Sequence, residues 1–193
     1  MTNEFVQKIR DDTDKRIGEV HTAFPGTIVS YDPATNMAEV LPGIQLKKPD
    51  GTKMDYPKIS GVPVCCVQAS GQNAVVALPI KAGDGCMVVV SEKAIDKWLY
   101  GQETDTDLNH DITNAMCVPG MFAKGCAVQQ EACSTGKIIV DCDGARGEFG
   151  EGKATLKAGG AKVDVGGGGV QVQGNLTVAG AITASGTVHG SNI

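Results

Sequence analysis

A strict two-residue alternation over residues 170–190 limits most strongly what this chain can fold into. Every even-numbered residue in this stretch is Val, Leu, Ile, Ala or Gly, and every odd-numbered residue is polar or Ala. Successive side chains of a β-strand point to opposite faces, so the pattern predicts one buried and one solvated face. One straight strand of this length would extend about 70 Å at roughly 3.3 Å per residue. Because ordinary strands stop at about ten residues, shorter strands are expected.

The breaks between these strands are predicted at glycines, because the stretch also repeats every six residues. A glycine opens each of three hexads, and Leu, Ile or Val stands at the third position of each. One narrow ribbon cannot bury its own apolar face, and three hexads are too few for a self-sufficient solenoid. Apolar faces contributed by several chains are therefore favoured, which would also remove exposed strand edges. The residues assigned to this shaft are Gly174, Leu176, Val178, Gly180, Ile182, Gly186 and Val188.

Residues 22–120 show a different β pattern, in which short apolar runs are separated by turn signals. Gly26–Tyr31, Met37–Leu41 and Cys86–Val90 are typical runs, and Asp50-Gly51 is a hairpin signal. Five or six such runs, with turns about every ten residues, predict a small closed barrel.

The charged N-terminal segment, residues 1–21, has helical periodicity. Phe5, Ile9 and Ile17 fall on one helix face with Thr13 between them, which predicts an apolar stripe packed on its own domain. Docking of this stripe on a partner is the alternative. The first ten residues lack the apolar stretch of a secretory signal, and Cys86–Val90 is far too short to span a bilayer. Assembly in a reducing cytoplasm is therefore expected.

Charge and thiol spacing argue against two classes of function. The formal net charge is −5, whereas nucleic-acid binding draws on a basic surface, so no nucleic-acid partner is predicted. The seven cysteines contain no Cys-x-x-Cys pair, so the usual zinc spacing is missing and buried free thiols are expected. Cys126, Cys133 and Cys142 could still approach symmetry mates in a disulfide or metal contact.

The histidines give little support for catalysis. His21, His110 and His189 lie beside no Ser or Cys in a nucleophile motif, and no phosphate-binding or cofactor motif occurs. No enzyme activity and no cofactor are therefore predicted. His189 is a weak candidate metal ligand, because a trimer would bring three imidazoles to nearly the same height. A solvated histidine is the favoured alternative.

A series of segments in residues 22–120 carries a family resemblance through its order and spacing. The segments are Phe24–Asp32, Ala38–Val40, Gly61–Val64, Gly83–Gly85 with the valines after it, Glu92, Ile95-Asp96, Trp98 and His110–Gly120. Together they resemble the OB-fold N-terminal domain of the phage membrane-puncturing spike family, which occurs in the baseplates of contractile tails. The hexads are similar to the shaft of such spikes, in which three chains intertwine.

The resemblance implies a structural homotrimer that caps the tail hub beneath the baseplate and helps pierce the host cell envelope. Its implied partners are the hub protein, a separate tip protein and, transiently, the envelope. Its implied location is the virion or a tail-like particle assembled in the bacterial cytoplasm. Many relatives carry a paired-histidine iron site near the apex, whereas His189 stands alone here. The predicted fold is mainly all-β, with a helical segment (1–21), an OB-fold barrel (22–120), a connector (121–136) and an intertwined β-helix or β-prism shaft (137–193).

Two other functions fit part of this pattern. A hexapeptide-repeat acyltransferase also has a period of six, but such enzymes need many more coils, and His189 is poorly placed for an active site. An OB-type module for single-stranded nucleic acid would need stacking aromatic residues, and only 4% of the residues are aromatic.

Overall fold

The chain divides into two compact units, Met1–Ala123 (unit 1) and Lys124–Ile193 (unit 2). The computed structural model describes residues 2–48, 50–101 and 108–190. Strands make up most of the regular structure in both units, and one longer helix lies at the N-terminus. The mainly β class and the N-terminal helix are therefore confirmed.

Unit 1 is built around one curled antiparallel sheet. Its elements are α1 (Thr2–Gly18), β1 (Ala23–Asp32), β2 (Met37–Pro42), β3 (Gln45–Lys47), β4 (Lys53–Asp55), β5 (Ile59–Pro63), β6 (Val67–Ala69), β7 (Ala74–Val76), β8 (Gly85–Val90), α2 (Asp96–Tyr100), a 3-10 turn (Ile112–Asn114) and β9 (Ala115–Pro119). The strand order of the sheet is β5-β2-β1-β8-β9, and the short hairpins β3-β4 and β6-β7 connect its strands. A bridge between Val64, which follows β5, and Cys117 of β9 brings the two ends of the sheet together in a half-barrel.

The core of unit 1 lies on the concave side of this sheet. In β2 and β8 every second residue is buried, as the period of a half-buried strand requires. Ile28 and Val40 are completely buried and face the core from neighbouring strands. The core consists of Phe24, Ile28, Ala38, Val40, Ile59, Val62, Val64, Cys86, Val88, Val90, Ala115 and Cys117.

A close backbone approach at Gly85 fixes the path of the chain after β9. The carbonyl oxygen of Gly85 accepts hydrogen bonds from the N–H groups of Gly120 and Met121, at 3.0 and 3.2 Å. A Cβ atom on Gly85 would lie 1.7 Å from the carbonyl oxygen of Met121. Only glycine fits here without a shift of the backbone.

Gly85→Ala is therefore expected to destabilise unit 1 by at least about 3 kcal/mol, the upper end of typical overpacking costs. Chemical denaturation followed by circular dichroism measures this change. Gly18→Ala is the matched control, because a Cβ atom there meets no other atom within 4 Å. Equal stability of the two variants would contradict the close approach.

The apolar stripe of α1 does not pack on the core of unit 1, so the prediction that it packs on its own domain is wrong. Phe5, Ile9 and Ile17 are 67%, 51% and 65% exposed, and the core contains no residue of α1. The buried core of unit 1 is formed by its strands and the 3-10 turn without any contribution from the helix. Within the described ranges, no helix is long and apolar enough to cross a membrane.

Unit 2 contains one helix and a five-stranded antiparallel sheet whose strands follow one another in chain order. Tight turns make this meander possible. Asp143 and Gly144 have φ values of 45° and 89°, the left-handed conformations that a two-residue type I′ hairpin requires. The elements are α3 (Ala127–Thr135), β10 (Ile138–Cys142), β11 (Ala145–Gly150), β12 (Lys153–Ala158), β13 (Ala161–Gly166) and β14 (Gly169–Gln173).

The shaft predicted for residues 137–193 has a different form in the single chain. Residues 138–173 form the meander and not successive coils, because two-residue turns reverse the chain after each strand. Residues 174–190 contain no strand, and every one of them is exposed. A strand needs a hydrogen-bonding neighbour, and within the described ranges no backbone hydrogen bond joins residues 174–190 to another segment.

Candidate assembly surface

One face of the unit 2 sheet carries almost only apolar residues. The cross-strand register aligns them in three rows, two that run from β10 to β14 and one from β10 to β13, since residues directly opposite each other point to the same side. We call this set the apolar face. Its rows are Ile138, Phe149, Ala154, Val165 and Val170; then Val140, Gly147, Leu156, Val163 and Val172; and last Cys142, Ala145, Ala158 and Ala161.

The apolar face is open to solvent. Ile138 is 70% exposed, Val140 63% and Leu156, at its centre, 60%. A groove of about 600 Å³ runs along it, lined by Val140, Phe149, Leu156 and Val163 among others. Exposed apolar patches of this extent mark interaction sites in soluble proteins.

The opposite face of the same sheet carries a network of ion pairs, which begins at Arg146 on β11. Its guanidinium lies 3.0 Å from Glu148 and 3.7 Å from Asp141, and it also pairs with Glu131 of α3. The hydrogen bond from Lys157, at 2.7 Å, is the main cause that lowers the pKa of Glu148. The nearby charges of Lys157 and Arg146 lower the pKa further. The pair with Glu131 also ties α3 to this face.

Asp164 is the second centre of the network. Its carboxylate lies 2.8 Å from Lys153 and 2.6 Å from Lys162, and it accepts a hydrogen bond of 2.6 Å from the hydroxyl of Thr155. The hydrogen bonds from Lys153, Lys162 and Thr155, in this order, hold the pKa of Asp164 far below its ordinary value of 3.8. Asp164 and Thr155 are buried, although they lie on the polar face. The charged groups of the polar face thus pair with one another, whereas the apolar face is open.

Asp164→Asn is expected to lower the melting temperature of unit 2 at neutral pH. It should also make this melting temperature less dependent on pH in the acid range. The pKa of Asp164 is lower in the folded than in the unfolded state, so the contribution of Asp164 to the free energy of unfolding is present at pH values above the unfolded pKa of 3.8. This contribution is lost as pH falls through the folded value. Thermal unfolding above and below pH 3.8 should show a smaller acid-induced drop for the variant than for the wild type. Asp143→Asn, at an exposed turn, is the control, and an equal drop in all three proteins would contradict the ion-pair account.

The sequence-assigned shaft residues are not brought together in the single chain. Leu176 and Ile182 are 70% and 73% exposed, and the other assigned residues are exposed as well. His189 is also exposed. His21 lies in unit 1, where its ring contacts Phe24 and Tyr56 edge-on. In the described part of the chain, no three His, Cys, Asp or Glu residues are grouped so that they could hold a metal ion.

The expectation of buried thiols is only partly correct. Cys86 and Cys117 are completely buried and lie on the paired strands β8 and β9. The hydrogen bond with Cys86, and then burial, raise the pKa of Cys117, so this thiol stays protonated. Cys66 packs partly against the core. The expectation is wrong for Cys65, Cys126, Cys133 and Cys142, which are free and exposed. Cys65 lies outside the core of unit 1, and the other three belong to unit 2, whose helix and first strand have no fully buried residue.

The sequence led us to expect residues 138–173 in the shaft, and a flat sheet with one apolar face was not predicted. The sequence does contain its signal, because Asp143-Gly144, Gly159-Gly160 and Gly167-Gly168 separate short alternating runs. A search for hairpin turns at intervals of about eight residues would find the meander.

A curled β unit followed by a sheet with an open apolar face is typical of proteins that assemble with other chains. Residues 24–120, half of the chain, match the family described as phage protein Gp138 N-terminal domain. The chain belongs to this phage protein family, which indicates a structural role in a phage and a phage-associated location. No curated protein matches the chain.

Proposed function

We propose that this protein is the central spike of a contractile phage tail or tail-like particle and acts as a homotrimer without enzyme activity. The observation that carries the proposal is the apolar face of unit 2, which is open in the single chain. Its family supplies the phage context. The role of the spike is mechanical: the trimer caps the tail hub and helps to pierce the host cell envelope.

The dimensions of the sheet suit a three-sided arrangement. Five strands about 4.8 Å apart make a face about 24 Å wide. Three such faces, set as a triangle, would each lie about 7 Å from the common axis, which is more than the roughly 5 Å from each sheet to the middle of two packed sheets and leaves room for larger side chains. Side chains as long as Leu156 and Phe149 could fill this interior. The polar face, with Arg146 and Asp164, would then lie outside.

The C-terminal segment favours three copies over two. Two sheets could also cover each other's apolar faces as a sandwich. Residues 174–190, however, offer one alternating ribbon per chain, and two ribbons leave strand edges open. Three ribbons can close around an axis with Leu176, Ile182 and Val188 inside. This segment would form the narrow end of an intertwined shaft.

Unit 1 is proposed to be an OB-fold barrel that binds the tail hub. Its strands β1, β2, β5, β9 and β8 follow one another around the sheet, and the bridge from Val64 to Cys117 links β5 to β9. This order supports the five-stranded, partly open barrel of OB-folds. The other proposed partners are a separate tip protein and, transiently, the host envelope. The net charge of −5 supports the expectation that nucleic acid is not a partner.

Negative-stain electron microscopy of the purified full chain tests the proposal. Class averages should show a three-fold knob with a thin shaft. Compact globules without three-fold symmetry would contradict the spike.

A further inference from the structure

The unit 2 sheet has two free edges, one on β10 and one on β14. These strands stand at the two ends of the sheet order. Among the described residues, no backbone hydrogen bond joins either outer edge to another segment. Each edge therefore presents a row of N–H and C=O groups that can pair with another strand.

Neither edge carries the features that usually prevent such pairing. Strand β10 reads Ile-Ile-Val-Asp-Cys and β14 reads Gly-Val-Gln-Val-Gln, with no proline, no lysine and no inward-pointing charge. The carboxylate of Asp141 lies on the polar side and pairs with Arg146 of the neighbouring strand. Long exposed edges of this kind invite association, so a chain that stays soluble would have them covered in its assembled state.

The two edges match each other in length, direction and chemistry. Both strands have five residues, and an antiparallel meander of five strands makes its first and last strands run the same way. Ile138 and Val170 lie in one row of the apolar face, and Val140 and Val172 lie in the next. If β14 of one copy joined β10 of the next with Val170 beside Ile138 and Val172 beside Val140, these two rows of the apolar face would continue from one copy to the next without a shift in register.

We propose that β14 of each copy pairs in parallel with β10 of the next copy, so that three sheets form one closed wall. This inference rests on the proposed trimer and names the strands that join it. Each chain then builds one side of the prism, and adjoining strands at its corners supply the hydrogen bonds that both edges lack. Because the hydrogen bonds between two strands set their register, the contact also fixes the position of each copy along the common axis relative to the next copy.

A pair of cysteines tests this contact in the full chain. Val140→Cys with Val172→Cys places two thiols on directly adjoining strands of neighbouring copies, where the separation of about 4.8 Å is within disulfide range. Within one chain the same positions are four strand spacings apart, about 19 Å, which is too far for a disulfide. The background carries serine at the exposed Cys65, Cys126 and Cys133 and alanine at Cys66 and at Cys142, which lies on the apolar face, and it keeps the buried Cys86 and Cys117.

Oxidation with diamide, which takes up the two thiol hydrogens, should convert most of the double variant to covalent trimers on a non-reducing gel. Val140→Cys with Gln171→Cys is the control, because its two side chains point to opposite faces and should give less than about a tenth as much product. A particle of trimer mass in light scattering without covalent product would overturn the edge contact and leave the trimer standing. Product that stops at a covalent dimer would overturn the three-copy closure. A monomeric background protein would overturn the inference and the proposed trimer together.

Discussion

Leu156→Asp is expected to convert the proposed trimer to monomers while unit 1 remains folded. Leu156 lies at the centre of the apolar face and is 60% exposed in the single chain, so the monomer can carry the charge in water. In the trimer, three carboxylates would come together in an apolar interior. Burying a charge without a partner costs several kcal/mol even after relaxation, and the mutual repulsion adds to this cost. Light scattering at micromolar concentration measures the change in mass.

Gly160→Asp is the matched control for this variant. It introduces the same charge into the same sheet, but at the exposed turn between β12 and β13, where a Cβ atom meets no other atom within 4 Å. A surface change of this kind usually alters stability by no more than about 0.5 kcal/mol, so the trimer should persist. A trimeric Leu156→Asp protein would show that the apolar face does not hold the copies together. Dissociation by Gly160→Asp alone would show that the added charge, and not its place on the apolar face, separates the copies.

Ile182→Asp is expected to fray the shaft and to leave the rest of the protein intact. Ile182 occupies the third position of the middle hexad, which is predicted to face the interior together with Leu176 and Val188. Three copies of the variant would bury three unpaired carboxylates in one layer. Limited proteolysis should therefore remove the C-terminal fragment alone, because residues 138–173 form a hydrogen-bonded sheet of their own and unit 1 is a separate compact unit.

The neighbouring change Thr183→Asp tests the register of the same segment. Thr183 lies at an odd position, which is predicted to face solvent, so proteolysis should proceed as in the wild type. Greater damage from Thr183→Asp than from Ile182→Asp would mean that the register is off by one residue, since such a slip exchanges the two faces of a strand.

Local patterns predicted the strands β1, β2 and β8 of unit 1 well because each of these strands has alternating buried residues. In β2 and β8 the buried positions Val40 and Val88 are part of a two-residue alternation that is visible in the sequence. The bridge between Val64 and Cys117 could not be predicted, because it joins positions that are far apart along the chain. The solvent exposure of α1 was not predicted for a related reason. Helical periodicity shows that an apolar stripe exists but not which surface packs against it.

The candidate surface of unit 2 was harder to predict than its strands. Alternation predicts which side of a ribbon is apolar, but the neighbour of each strand depends on the turns. Glu151-Gly152 and Asp143-Gly144 adopt left-handed conformations and fold the ribbon into a meander. The site around Asp164 had no sequence signal at all. Its partners, Lys153 and Thr155, belong to a neighbouring strand and reach it only through the cross-strand register.

The mass of the purified full chain in dilute buffer tests the proposed trimer most directly. Size-exclusion chromatography with multi-angle light scattering should give three times 19.9 kDa, because the apolar face and the 174–190 ribbon have no partner within one chain. A mass of 19.9 kDa under the same conditions would contradict the account, since neither the prism nor the shaft could then close.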